Sequence, residues 1–224
     1  MAGHGLVALL PMKAHSERVP GKNFKSFAGK PLFRWILDTL LDIPDVDKVV
    51  INTDARDVLR DHGLVDSERI VIRDRKEALR GDMVSMNLIL DDDIHAVESR
   101  RYLMTHNTNP LLSASTILRA IAALDASDHD SLFTVNRFQT RFYTGAAEPI
   151  NHDPQNLIRT QDLEPWFEEN SCLYIFTAES FQRTRARIGE NPMIFEIPKS
   201  EAMDIDTPED WDIAEALALY RGRT

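Results

Sequence analysis

Apolar runs of strand length alternate with segments of helical spacing along most of this chain, and that rhythm constrains its fold more than any other feature. Leu6–Leu10 is a continuous apolar run, the mark of a strand buried on both faces. The segment LFRWILDTLLDI then carries apolar residues at helical spacing and closes at Pro44, before DKVVINTDA supplies a second strand. ARDVLRDHGL reads as a helix ending near Gly63, RIVIR as a strand, and SMNLILDDDIHAVES as a helix. RYLMTH is a strand, STILRAIAALDA a helix starting at Ser113 or Ser115, and SLFTVNRF a further strand. Repeated βα order predicts an α/β fold in one domain over 1–224, its sheet mostly parallel with helices on both faces.

The rhythm breaks over 138–165, where the chain is polar, rich in turn residues and poor in periodic apolar positions. A stretch this long is either a functional loop or an excursion from the main sheet. The pattern resumes with NSCLYIFTAESFQRTRARI, and EIPKSEAMDIDTPEDWDIAEALALY reads as strand, turn and helix. Thr207 is placed to cap that last helix, with Pro208 at its first position and Glu209 and Asp210 in its first turn.

A chain of 224 residues, 43% hydrophobic and 28% charged, can bury a substantial core and is not disordered. The apolar run near the amino terminus lacks a cationic leader and meets Pro11 too soon for a signal peptide or a spanning helix, so a cytoplasmic protein without a membrane segment is expected. Cys172 has no partner for an internal disulfide and lies in the apolar stretch CLYIF, where a buried strand thiol is expected.

The loop after the first strand carries Lys13, Arg18, Lys22, Lys25 and Lys30 before a helix near Pro31. Open α/β sheets bind ligands outside the carboxyl ends of their strands, where this loop lies. The whole chain has 26 Lys plus Arg against 36 Asp plus Glu, so the cluster is a local feature of an acidic protein. That distribution fits a compact polyanion such as a nucleoside triphosphate and excludes a broad nucleic-acid surface. The plain alternative is a solvated basic loop.

Asp204 and Asp206 flank Ile205 at an expected strand end, so alternation points both carboxylates to one side. Two hard oxygen ligands suit Mg²⁺, which takes the rest of its shell from substrate phosphates and water. The alternative is that one Asp caps the following helix and the other is solvated. Apart from His106, the histidines (4, 15, 62, 95, 129 and 152) show no metal-ligand spacing, and His15 alone of these sits where it can contact a phosphate.

In order along the chain, PMKAHSERVPGKN with GKPL, VVINTDARDV, RKEALRGDMVS, MTHNTNPLL, RTQDLEPWFEENSCLYIF and MDIDTPEDWDIAEA resemble the motifs of the CMP-sialic acid synthetases, or acylneuraminate cytidylyltransferases. The resemblance runs nearly end to end. It implies a Rossmann-like nucleotidyltransferase fold with a small dimerisation excursion, and transfer of CMP from CTP to a 2-keto sugar acid with release of pyrophosphate. It further implies that Lys13, Arg18 and Lys22 hold phosphates, that Asn23, Arg75 and Ser85 contact the nucleotide, and that Asp204 and Asp206 bind Mg²⁺. Asp82 and Ser85 fit the nucleotide segment or, equally, a helix start. His106 stands where the family has a glutamine facing the acceptor, so it either contacts the sugar acid or satisfies neighbouring backbone groups. Arg159, Gln161 and Asp162 match a segment that reaches a partner's sugar pocket in a homodimer, or else Asp162 caps a short helix formed by LEPWFEEN. Trp166 and Phe167 are read as interface or core anchors.

The chain departs from the family pattern at several positions. Lys13 replaces a loop arginine, Ala14 and His15 replace paired glycines, Glu17 replaces a lysine, and Leu112 replaces an arginine. Lysine keeps the charge but not the bidentate geometry of guanidinium. These changes leave the acceptor open among sialic-acid-like nonulosonic acids, a deaminated sugar acid and a phosphonate. Two other function classes share the broad features. A GT-A glycosyltransferase also has a D-x-D metal site, normally in mid-chain, and a non-catalytic nucleotide-binding module would tolerate an altered phosphate loop.

Overall fold

The computed structural model describes residues 5–14, 16 and 18–222. The readings made for His15 and Glu17 lie outside these residues. The chain runs β1 (Leu6–Leu9), β2 (Ser26–Phe27), β3 (Lys30–Pro31), α1 (Leu32–Leu41), β4 (Val46–Thr53), α2 (Arg56–Asp61), β5 (Ile70–Asp74), α3 (Met86–Ala96) and β6 (Arg101–Thr105). It continues with α4 (Ala114–Asp125), β7 (Ser131–Phe138), β8 (Trp166–Thr177), α5 (Ala178–Thr184), β9 (Pro192–Glu196) and α6 (Pro208–Arg221). Seven strands form one sheet in the order β5-β4-β1-β6-β8-β7-β9, and β2 pairs with β3 in a separate small hairpin.

Strand β8 is antiparallel to both neighbours, β6 and β7, while the other pairs in the main sheet are parallel. Alternation along β1 divides the core. Leu6 and Ala8 join Phe33, Ile36 and Leu40 of α1 and Ile117 and Ile121 of α4 on one face. Val7 and Leu9 face the other way, against Leu90 and Ile94 of α3 and Phe181 of α5. Helices therefore cover both faces of a mostly parallel sheet, a Rossmann-like arrangement. A third cluster joins Phe27, Ile205, Trp211 and Ala214 and fixes α6 against the hairpin.

Local signals explain most element boundaries. Ser113 caps α4 by accepting the Thr116 N–H. Thr207 and Asp210 form a capping box at α6, with Pro208 following the cap. Cys172 is buried in β8, and desolvation pushes its thiol pKa up.

Two local readings are corrected. LEPWFEEN does not form a helix capped by Asp162: a 3-10 turn at Thr160–Asp162 is followed by β8, whose first residues pair with β7 through Trp166 and Phe138. Cross-strand partners distant in sequence override the weak local pattern. Asp204 and Asp206 lie not at a strand end but on an extended segment between β9 and α6. The Ile205 N–H donates to the Thr108 carbonyl at 2.9 Å and its side chain is buried, so the two carboxylates still flank an inward apolar residue. The stretch between β7 and β8 forms no strand, only a bridge between Tyr143 and Pro149 and the 3-10 turn. No helix among the described residues is long and apolar enough to cross a membrane.

Candidate active site

The chain leaves β1 for β4 on one side, then returns across the sheet to place β6 on the other side of β1. Reversal of direction opens a crevice outside the carboxyl ends of the two strands, and ligands of open α/β sheets bind there. A cavity of about 280 Å³ occupies it, lined among others by Lys13, Lys22, Asn23, Arg75, His106, Asp204 and Asp206. A larger cavity of about 410 Å³ between α3 and α5 is lined by Asp91, Glu98 and Tyr102, with His95 its sole basic side chain, and does not suit a polyanion.

The basic loop is held by its own polar groups. Gly21 takes φ +64°, a conformation that favours glycine, and turns the chain so that the Phe24 and Lys25 N–H groups donate to its carbonyl. Asn23 donates to the Lys13 carbonyl at 2.7 Å and accepts from Asn107, tying the loop to the ends of β1 and β6. Lys22 is buried and donates to the Ile205 carbonyl at 2.6 Å, with Asp206 Oδ1 3.5 Å away. Arg18 pairs with the same oxygen at 2.9 Å, and Lys13 pairs with Asp82. The five loop cations thus divide. Lys25 lies over the Trp211 ring, and Lys30 bonds Asp38 beside Trp35, so both brace the hairpin.

Arg75 is fixed from below. Its Nε donates to Asn52 Oδ1 at 2.9 Å and one terminal nitrogen to the Asn52 carbonyl at 2.8 Å. Asn52 in turn donates to buried Asp93 at 2.7 Å, and Asp93 also accepts from Arg73. Desolvation lowers the Arg75 pKa, opposed by the charges of Asp54 and Asp93.

Asp204 and Asp206 differ in environment. Desolvation raises the Asp204 pKa, a hydrogen bond from Thr108 opposes that, and the Asp206 charge adds to it. One Asp204 oxygen, Oδ1, is buried without a hydrogen-bond partner. A buried carboxylate oxygen of this kind calls for a cation, and two carboxylates beside a cavity lined by lysines and an arginine fit Mg²⁺ shared with an anionic ligand. No group of three or more His, Cys, Asp or Glu with metal-ligand geometry occurs among the described residues, so the protein would supply only part of the shell.

His106 lines the same cavity. Desolvation, then the positive charges of Arg187 and Lys22, push its pKa down to about 4 against the opposing charge of Asp206, so its ring is neutral at pH 7. The cavity therefore gathers Lys13, Lys22, Asn23, Arg75, His106, Asp204 and Asp206, and the ion pair to Asp206 brings Arg18 beside them. Ser85 is exposed at the start of α3, makes no side-chain cap, and lines an adjoining cavity of about 270 Å³ instead. Arg159, Gln161 and Asp162 do not line the cavity of their own chain. Arg159 forms a two-toothed pair with Asp162, at 2.7 and 3.0 Å, on the exposed excursion.

Sequence reasoning missed Ser16, Met86, Asn107, Thr108 and Ser171 as cavity residues. Ser171 reaches it through an irregularity in β8, where Phe133 pairs with Tyr174 but Val135 pairs with Glu169 and Ser171 takes φ +58°. No local sequence signal marks that bulge. Asn107 and Thr108 follow directly on a strand at the binding edge, a position that does favour function.

The comparisons agree with this geometry. Residues 7–223 match the cytidylyltransferase family. The pseudaminic acid cytidylyltransferase of Campylobacter jejuni serotype O:2 is 22% identical over 94% of this chain and 95% of its own length. The N-acylneuraminate cytidylyltransferase of Oncorhynchus mykiss is 27% identical over 97% of this chain, which spans 51% of that longer protein. In fold, the chain resembles a CMP:2-keto-3-deoxy-manno-octonic acid synthetase complexed with CTP, with a TM-score of 0.66 and 17% identity over 96% of this chain and 99% of the other. With a Rossmann-like sheet, a basic loop and an acidic pair meeting at its switch point, and a family match over almost its whole length, the chain belongs to the cytidylyltransferase family.

Proposed function

We propose that this protein transfers CMP from CTP to a hydroxyl of a 2-keto sugar acid of the nonulosonic type, releasing pyrophosphate. The observation that carries the reading is the convergence of Lys22, Arg18, Asp204 and Asp206 on one cavity at the switch point. The family assignment and the names of the relatives support cytidylyl transfer over glycosyl transfer or simple nucleotide binding.

In this reading, Lys13, Arg18 and Lys22 bind the triphosphate, and Arg18 and Lys22 exchange Asp206 for phosphate oxygens when it enters. Asn23 keeps the loop in place, and Arg75 closes the nucleotide side from its anchored position on Asn52. Asp204 and Asp206 would hold Mg²⁺, which would neutralise part of the charge that develops on the α-phosphate. The acceptor oxygen bonds to the α-phosphorus, the bond from that phosphorus to the bridging oxygen of the β-phosphate breaks, pyrophosphate leaves with those electrons, and the hydroxyl proton passes to pyrophosphate or water. His106, neutral at pH 7, accepts a hydrogen bond from the acceptor and orients it. A pKa of about 4 fits this positioning role better than general-base action. Arg159, Gln161 and Asp162 serve a second copy's acceptor site in a homodimer. Exposed Tyr143, Leu157, Ile158, Trp166 and Phe167 in and beside the excursion support an interface there.

Pyrophosphate release tests the reading, with CTP, Mg²⁺ and a panel of N-acetylneuraminate, pseudaminate and 2-keto-3-deoxy-manno-octonate. Release that requires both CTP and an acid supports it. Release with no acid in the panel, or turnover of a nucleotide sugar in place of CTP, contradicts it.

A further inference from the structure

The cavity beside the nucleotide site contains a cation that the reaction described above does not use. It measures about 270 Å³, is lined by Ser85, Met86, Asn87, Glu169, Arg187 and Ile188, and meets the nucleotide cavity at Met86, which lines both. The Arg187 guanidinium carbon lies 3.8 Å from the centre of the Tyr174 ring, a cation–π contact that holds it in place. One terminal nitrogen reaches Glu169 at 3.3 Å, a long single contact to an oxygen that already accepts from the Tyr174 hydroxyl. Among the described residues the other terminal nitrogen has only the Met104 sulfur as acceptor, at 3.8 Å. Sulfur is a weak acceptor, so donors of a four-fifths buried guanidinium remain available. Its charge also reaches His106, which places it within range of the reacting centre.

We propose that Arg187 selects an anionic acceptor by taking its carboxylate in the cavity next to the nucleotide, so that the acceptor hydroxyl lies toward His106 and the Asp204–Asp206 pair. The proposal deepens the function proposed above and rests on it. A planar fork with unused donors on a stacking ring is suited to a carboxylate, which it binds with two parallel bonds. Glu169 lends only a loose counter-charge, so the site keeps its attraction for an anion.

The test compares each acid of the panel with its primary amide, which keeps the carboxyl shape without the charge. Wild type is expected to favour the acid by about ten-fold or more in kcat/KM, the effect of a charge-assisted hydrogen bond. Arg187→Gln should lose most of that preference through a higher KM for the acid, with the KM for CTP unchanged, and Arg187→Lys should fall between. Glu169→Gln breaks the same ion pair and should keep the preference, which separates anion binding from mere support of the pocket. Thermal unfolding and CTP titration of each variant confirm that it is folded. An undiminished preference in folded Arg187→Gln, or equal use of acid and amide by wild type, overturns the assignment of Arg187 alone. No CTP-dependent turnover by wild type with any acid overturns it together with the proposed reaction.

Discussion

Lys22 donates a 2.6 Å hydrogen bond to the carbonyl of Ile205, 183 residues further along the chain. This bond joins the two chemical landmarks of the sequence, the basic loop and the acidic pair. It also places the Lys22 charge 3.5 Å from Asp206, where a bound triphosphate would compete for it. In the proposed reaction a metal-bound triphosphate would replace these opposite charges.

Substitution should separate the roles of these two landmarks. Lys22→Ala and Arg18→Ala are each expected to weaken CTP binding by roughly 1.5–3 kcal/mol, the range for hydrogen bonds to charged groups. Lys22→Ala should in addition lower stability, because it removes a buried stem and its bond to Ile205, whereas the Arg18 side chain is 64% exposed and should leave stability unchanged. Calorimetric titration with CTP and thermal unfolding of both variants check this. Unchanged CTP affinity in both would return the loop to an ordinary basic surface.

The acidic pair predicts a different pattern. Asp204→Asn and Asp206→Asn should each reduce turnover by about two orders of magnitude, since each removes several kcal/mol of charge stabilisation at the same volume. Asp204 carries the unpartnered buried oxygen, so Asp204→Asn should match or exceed wild-type stability when Mg²⁺ is absent. Near-normal turnover in both purified variants would contradict the metal assignment.

Much of this was legible in the sequence for local reasons. The apolar run of β1 and the capping box at Thr207 are short-range patterns that the structure reproduces, and the closely spaced Asp204 and Asp206 both line the cavity at the sheet edge. What escaped depends on partners distant in the chain. The amino-terminal part of β8 is a strand because β7 pairs with it, and Ser171 enters the cavity because the register slips there. Lys25 and Lys30 look like phosphate ligands until Trp211 and Trp35 are seen beneath them. Arg187 belongs to no motif and gains its role from Tyr174 and Glu169.

Asp93 should leave a mark on the pH dependence of stability. Desolvation is the largest cause of its raised pKa, about 6 in the folded protein, against the opposing effects of Asn52 and Arg73. The folded state therefore holds this proton more tightly than the unfolded state does. The resulting stability is fully present below pH 3.8 and is lost as pH rises through 6. Relative to wild type, Asp93→Asn should gain stability by up to ~3 kcal/mol between pH 4 and pH 7. Denaturant unfolding across that range checks it, and curves that stay parallel would contradict it.

The shared-site proposal for Arg159 and Gln161 predicts that their alanine variants raise the KM for the acid while CTP affinity stays constant. Mixing Arg159→Ala chains with Asp204→Asn chains should restore part of the lost activity, because one site of each heterodimer has both intact parts. A fully active monomer in sedimentation, or no restoration in verified heterodimers, would leave the excursion as a local loop.

Phosphorus NMR of a reaction containing CTP, Mg²⁺ and each acid of the panel tests the central claim most directly. The account predicts that, with at least one acid, the CTP signals decline as pyrophosphate and a CMP ester of the acid appear in equal amounts, and that Asp204→Asn slows the appearance of both products by about two orders of magnitude. Conversion of CTP to CDP and phosphate, or pyrophosphate with free CMP and no ester, would contradict it.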